Sequence, residues 1–446
     1  MKKVLVSVVL VALLLSVFAG VKSAEPLFVG STTNPHGSYE VPNEFIVGFR
    51  DGVNVTLKAK ALENANSIKV KKVGLKNFAV FTLPQSKTLD AVKGLLLSDP
   101  DIAYVEPNYV AHAFSLPNDP YFSPYQWDLY DYGMLSNGYA SNFGVQAVSA
   151  WNITRGAGVK VAIIDTGVAY ENYTDPVTGT QYALAPDLAN TKFDTANAYD
   201  FVNNDTHAND DNGHGTHVCG TIAQSTNNSI GCAGIAYEAT ILPIKVLDSS
   251  GSGTYDAIAN GIIWAADHGA RVINMSLGGS QGSTTLYNAI KYAYNKGVVI
   301  VCAAGNDGRP LVSYPAAYTE CIAVGATRFD GRRAKYSNYG SALDIVAPGG
   351  DTSVDQNKDG YGDGILQQTF SGSPTNFGYY FFQGTSMATP HVAAVAALVL
   401  SLHPEFTNVQ VRTALQSTAK DLGTKGWDKY YGYGLVNAYG AINWKP

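Results

Sequence analysis

Apolar and polar positions change rhythm three times along the 446 residues. Behind Met1-Lys2-Lys3 comes an apolar run from Val4 to Ala19, then small residues up to Ala24, the layout of a secretory leader too short to span a membrane comfortably. Residues 1–24 are therefore expected to be a removable signal, cut after Ala19, Ser23 or Ala24, and the remainder to be extracellular and free of the membrane. From Asn43 the segments EFIVGFRDG and IKVKKVGLKNFAVFTLP read as strands, and LDAVKGLLLSDPDIAYVEPNY as an amphipathic helix followed by a strand. That is the pattern of a small α+β unit. The stretch SLPNDPYFSPYQW, rich in Pro, Ser and Asn, reads as an exposed junction and sets a boundary near Phe114.

Beyond the junction, apolar runs such as VKVAIID, TILPIKVL, RVINMSLG and VVIVCAAGN alternate with helix-like stretches such as HGTHVCGTIA, YDAIANGIIWAADHG and LYNAIKYAYNKG. The alternation predicts an α/β fold, a mostly parallel sheet covered on both faces. Asp165, Ser276 and Asn306 close three of the runs, and the carboxyl edge of such a sheet is where ligands bind. The expected organisation is a signal over 1–24, a small unit over 25–114 with its compact part from about 40, and a large α/β unit over 115–446.

Charge narrows the partners. Residues 1–114 carry 12 basic and 9 acidic side chains, leaving 18 and 27 for the rest. An acidic main unit repels phosphate backbones, which argues against nucleic acid and in favour of bound cations. Four cysteines, at 219, 232, 302 and 321, allow three pairings in an exported chain. Proximity suggests Cys219–Cys232 and Cys302–Cys321, and buried free thiols are the alternative.

Acyl transfer requires a nucleophile, a base, a group that orients the base, and donors for an oxyanion. Asp165 sits in AIIDTG, His214 in NGHGTHVCG, Asn306 in CAAGND and Ser386 in GTSMATPHVA. Alone, Asp165 or Ser386 could be a helix cap, and His214 with His217 a metal pair. Taken together and in this order the motifs resemble the subtilisin-like serine proteases, and NDPYF and TNNSIG look most like the thermitase branch of that family. The resemblance implies a three-layer fold behind a propeptide, and a secreted endopeptidase with Asp165, His214 and Ser386 as its triad and Asn306 in its oxyanion hole. Two other readings are a narrow processing protease and an inactive binding module.

The resemblance also implies where ligands lie. An extended protein or peptide substrate is expected between Gly251-Ser252-Gly253 and Ser276-Leu277-Gly278, where backbone pairing tolerates many sequences. The first specificity pocket is expected to be walled by Ala303, Ala304 and Gly305 with Ser313 near its floor, favouring large apolar or aromatic side chains. Phe114 is such a side chain, which points to self-cleavage before Ser115. Residues from about 40 to 114 are expected to inhibit the enzyme intramolecularly, and the mature enzyme to be a monomer.

Calcium is the expected cofactor, in a structural role. The family's strong site implies Asp119, Asp187 and Asn228 with carbonyls of Ser225, Ile230 and Cys232, and a weaker one implies Asp200 and Asp205, with Asn209 nearby. A third reading comes from spacing: Asp355, Asn357, Asp359, the Tyr361 carbonyl and Asp363 follow the alternate-residue rhythm of an EF-hand-type loop around Gly360, although its twelfth position is Leu366 and not Glu.

Overall fold

The computed structural model describes residues 40–84, 87–109, 116–130 and 142–446. The expected leader and the Phe114–Ser115 bond lie outside them. The chain divides into two compact units between Ala113 and Phe114.

In the first unit, four strands lie in the order Lys69–Val73, Phe78–Thr82, Glu40–Phe49, Ile102–Tyr109. Alternate residues Phe45, Val47 and Phe49 are buried, against Leu62 of the helix Val55–Asn66 and Val92 and Leu96 of the helix Leu89–Leu97. Asn54 and Thr88 start these helices, each accepting a backbone N–H three residues on.

The second unit is built on a sheet ordered Ile345–Pro348, Cys321–Thr327, Val299–Ala303, Val272–Met275, Lys160–Asp165, Thr240–Lys245, Lys192–Phe193, with Tyr199–Asp200 also beside Thr240–Lys245. Every pairing in it is parallel. The period of two sorts its side chains. Val161 and Ile163 face a core shared with the helices His214–Ala223 and Thr385–Leu402, whereas Ala162 and Ile164 face one shared with Tyr255–Asp267 and Thr284–Asn295. Burial on both sides is what makes these strands continuous apolar runs. The helix Thr385–Leu402 is apolar enough to cross a membrane by composition, but 83% of it is buried in this core.

The segment after Gly349 ends in an antiparallel hairpin, Ile365–Phe370 with Phe377–Phe382. It lies over the helix His214–Ala223. The His217 imidazole hydrogen-bonds through Nε2 to the carbonyls of Ile365 and Tyr380 and stacks on Phe382 at 4.4 Å.

The cysteine pairings suggested by proximity are not made: all four thiols are free and buried. Cys219 turns into the core beside Val218 and Ile222, while Cys232 follows the loop at Asp187, to whose carboxylate its N–H donates. Cys302 and Cys321 lie on neighbouring strands, offset so that Cys302 faces Ala323.

Candidate active site

Asp165 is the last residue of a central strand and fully buried. His214 opens a helix whose preceding residue, Gly213, has φ +99°, and a Cβ there would meet Thr369 Oγ1 at 3.0 Å. Asp210, absent from the sequence-predicted set, fixes the two segments relative to each other. Its carboxylate accepts the N–H groups of Asn212, Gly213 and Thr216 and the hydroxyls of Thr216 and Thr166, the neighbour of Asp165. The acidic run just before His214 was the available signal, since an acid at a helix start caps its free N–H groups.

The result is a 2.7 Å hydrogen bond between His214 Nδ1 and Asp165 Oδ1, which also accepts the Thr166 N–H. Burial alone would hold the His214 pKa down, but the charge and hydrogen bond of Asp165, aided by the charge of Asp210, raise it. With Nδ1 engaged, Nε2 is the nitrogen left to exchange a proton.

Ser386 is the second residue of the long core helix, after Gly384 at φ +152°. Its hydroxyl donates to the Ser276 carbonyl at 3.0 Å, while the Ser276 hydroxyl donates to the Ser386 carbonyl at 2.8 Å. In this rotamer the hydroxyl proton is directed to Ser276 and not to His214. Asn306 Oδ1 accepts both the N–H and the hydroxyl of Thr385, at 2.8 and 2.9 Å. The backbone donor fixes the amide orientation, so the Asn306 NH₂ group is the end left for the cavity.

One cavity of about 660 Å³ is lined by His214, Ser386, Asn306, Gly251, Ser252, Gly253, Ser276, Leu277, Gly278, Ala303, Gly305 and Ser313, all expected from the sequence. Gly305, at φ +105°, is required there, because a Cβ would fall 2.4 Å from both Ser313 Oγ and Asn338 Nδ2. Ala304 is the correction. It is fully buried and packs in the core, since adjacent residues of an extended segment point to opposite sides. Tyr255 and Tyr314, which also line the cavity, were missed. The Tyr255 hydroxyl donates to the Gln281 carbonyl, a pairing that no local motif reveals.

His217 does not form a metal pair with His214. Its Nε2 is committed to the hairpin carbonyls, and burial pushes its pKa down to about 3.

Among the described residues, no three acidic, His or Cys side chains sit together at metal-binding spacing. The first expected calcium set nevertheless comes together in part. Asp119 accepts the Asn227 and Asn228 N–H groups, and Asp187 accepts the Asn228 side-chain amide, the Cys232 N–H and the Tyr379 hydroxyl. Both carboxylates are buried and neither is in an ion pair with Lys or Arg among the described residues. Burial pushes Asp187 up to about 6, against those neutral donors. Asn227, Ser229 and Gly231, all at positive φ, fold the 225–232 segment around Asn228, and the Ser225 N–H donates to the Asp187 carbonyl. Two buried carboxylates with no Lys or Arg paired to them among the described residues have the oxygen donors that suit a calcium ion.

The second set is accounted for locally. Asp200 accepts the Val202 and Asn203 N–H groups and the Asn203 amide, Asp205 accepts the His207 N–H, and the Asn209 amide donates to Glu171. In the third, Asp355, Asn357, Asp359, Tyr361 and Asp363 lie on one turn in which Asp355 accepts the N–H groups of Asp359 and Gly360.

Residues 156–434 match the model of the subtilase family, and residues 29–108 that of the fervidolysin N-terminal prodomain. The chain is 39% identical to a thermophilic serine proteinase of Bacillus sp. (strain AK1), over 95% of this chain and 93% of that one. With thermitase of Thermoactinomyces vulgaris it shares 42% identity over 74% of this chain and 99% of that one. A solved protease from Pseudoalteromonas arctica matches with a TM-score of 0.60 and 34% identity, covering 74% of this chain and 99% of that one.

Proposed function

The chain belongs to the subtilase family of serine endopeptidases, and on that premise we propose that it is a secreted, calcium-stabilised, self-processing enzyme in which Asp165, His214 and Ser386 form the triad. Ser386 Oγ attacks the peptide carbonyl carbon as His214 Nε2 takes the hydroxyl proton. Asp165 holds the imidazole in the tautomer this requires and stabilises the imidazolium that forms. The carbonyl oxygen becomes an oxyanion, received by the Asn306 NH₂ and the Ser386 N–H at the start of a buried helix. His214 then protonates the departing amine, the C–N bond breaks, and water repeats the sequence to free the acid and restore Ser386. The observation that carries this reading is the 2.7 Å His214–Asp165 bond at the edge of the cavity that Ser386 and Asn306 share. Rotation about the Ser386 Cα–Cβ bond transfers its hydroxyl from the Ser276 carbonyl toward the imidazole.

Ala303, Gly305 and Ser313 leave room for a large apolar or aromatic side chain before the cut bond, and Phe114 is the side chain presented at self-cleavage. The prodomain match supports intramolecular inhibition by the segment before it. The mature enzyme acts as an extracellular monomer on proteins and peptides. Calcium, held by Asp119, Asp187 and Asn228, neutralises charge that the fold has buried and stabilises without entering the chemistry.

A serine-directed fluorophosphonate tests this. Wild type should be labelled once and should yield a mature chain beginning at Ser115, whereas Ser386→Ala should neither label nor mature. Labelling or maturation of Ser386→Ala refutes the mechanism.

A further inference from the structure

The loop before the hairpin buries a carboxyl group that takes no part in the site at Asp187. Asp363 is 2% exposed; its Oδ2 accepts the Gln356 N–H at 2.8 Å, and its Oδ1 has no hydrogen-bond partner. Gln356 lies between Asp355 and Asn357, so the Asp363 carboxyl faces the inside of the turn. A buried carboxylate oxygen without a donor is costly, and no Lys or Arg among the described residues forms an ion pair with Asp355, Asp359 or Asp363. Burial and the nearby charges of Asp355 and Asp359 push Asp363 up to about 6. Gly360, at φ +94°, provides the sharp turn, and Asn357 is buried at 4% exposure.

The two ends of this loop are tied to two different catalytic segments. At one end the Gly384 N–H donates to the Gly349 carbonyl, and the Thr352 N–H and hydroxyl donate to Gln383, just before Ser386. At the other, the Asp351 N–H donates to the Asp363 carbonyl, and the chain continues directly into Ile365–Phe370. That strand accepts the His217 imidazole at Ile365 and donates from Thr369 Oγ1 to the Gly213 carbonyl, gripping the helix that His214 opens.

We propose that Asp355, Asn357, Asp359, the Tyr361 carbonyl and Asp363 bind one calcium ion, and that this ion sets the register between the His214 helix and the Ser386 helix. Asp363, with its unpartnered oxygen, takes the chelating part for which the twelfth position, Leu366, is unsuited. Because the three carboxylates do not sit at metal-binding spacing, binding draws Asp355 and Asp359 toward Asp363. The movement tightens the connection from Gly349 to Ile365. The inference rests on the protease reading for its consequence, but its ligand set stands apart from it.

The test compares the mature wild type with Asp355→Asn/Asp359→Asn, two changes at the loop surface, after chelation and calcium titration by calorimetry. The variant should bind one calcium fewer per chain. At saturating calcium its amide hydrogens in Ile365–Phe370 and Gly213–His217 should exchange about tenfold faster or more, and fluorophosphonate should label it several-fold more slowly to the same final extent. An unchanged calcium count overturns the proposed site, and a lost calcium with unchanged exchange overturns the coupling. Should the double variant not mature, Asp359→Asn alone must weaken one calcium at least tenfold, and unaltered affinity overturns the proposal. Absent labelling of calcium-saturated wild type refutes the protease reading instead, leaving the calcium count to judge the site.

Discussion

Asp165 and Asp187 are equally shut off from water, yet the regions around them are arranged for opposite ends. At Asp165 one donor is an imidazole, a group that can itself become positive, and the carboxylate lifts the pKa of that group. At Asp187 the donors are an amide, a backbone N–H and a phenol, none of which can carry the compensating charge, so burial wins and the carboxyl itself holds its proton more tightly. Burial alone therefore does not set how a carboxylate responds. What decides is whether its neighbour can accept a proton and so carry the compensating charge.

The strongest way to break the contrast is Asp165→Asn, which should lower kcat/KM at neutral pH by about 10⁴-fold because the imidazole loses its enforced tautomer. In wild type the acid limb of kcat/KM should lie above the ordinary imidazole value of 6.5, since catalysis requires neutral His214 and its pKa is raised. A peptide assay across pH checks both, and a loss below tenfold would end the comparison.

Asp187→Asn should leave kcat/KM near wild type but abolish stabilisation at the first calcium site. At calcium one hundredfold above its Kd that is about 2.7 kcal/mol, or a Tm lowered by roughly 4 °C in calorimetry. An unchanged Tm in excess calcium would remove the cation from this region.

A smaller effect sharpens the same point in chelator-treated wild type. Asp187 has a folded pKa of about 6 against 3.8 for the free carboxyl, so below about pH 4 it is protonated in folded and unfolded chains alike and carries no penalty. As pH rises from 4 to 6 the unfolded chain ionises first. Stability should fall through that window by an amount on the order of 3 kcal/mol, and stay lower above it. Denaturant titrations of wild type and Asp187→Asn at pH 4 and 6.5 isolate the effect, which the substitution and added calcium should each suppress.

The residues of the cavity were legible because the chemistry restricts residue type: an oxyanion donor beside a tight turn and a hydroxyl at a helix start leave few choices, and AAGN and GTSMATPH meet them. The α/β layering was legible for the same reason, since only strands buried on both faces read as VKVAIID does. Ala304 was misplaced because a motif says nothing about which side of the chain a residue faces. The role of the hairpin was missed although SGSPTN between two β-rich runs signals its turn, because its value lies in contacts with Gly213 and His217 about 150 residues earlier. The cysteines show the converse: Cys219 and Cys232 are close in sequence, but helix direction points one of them into the core.

Ser386 occupies the second position of a helix whose remaining turns form the centre of the hydrophobic interior. A hydroxyl mounted there has no local route to disorder, since fraying that helix end exposes the interior itself. Loss of the Ser386 position should then coincide with collapse of the architecture on heating, with no separate local melting before it.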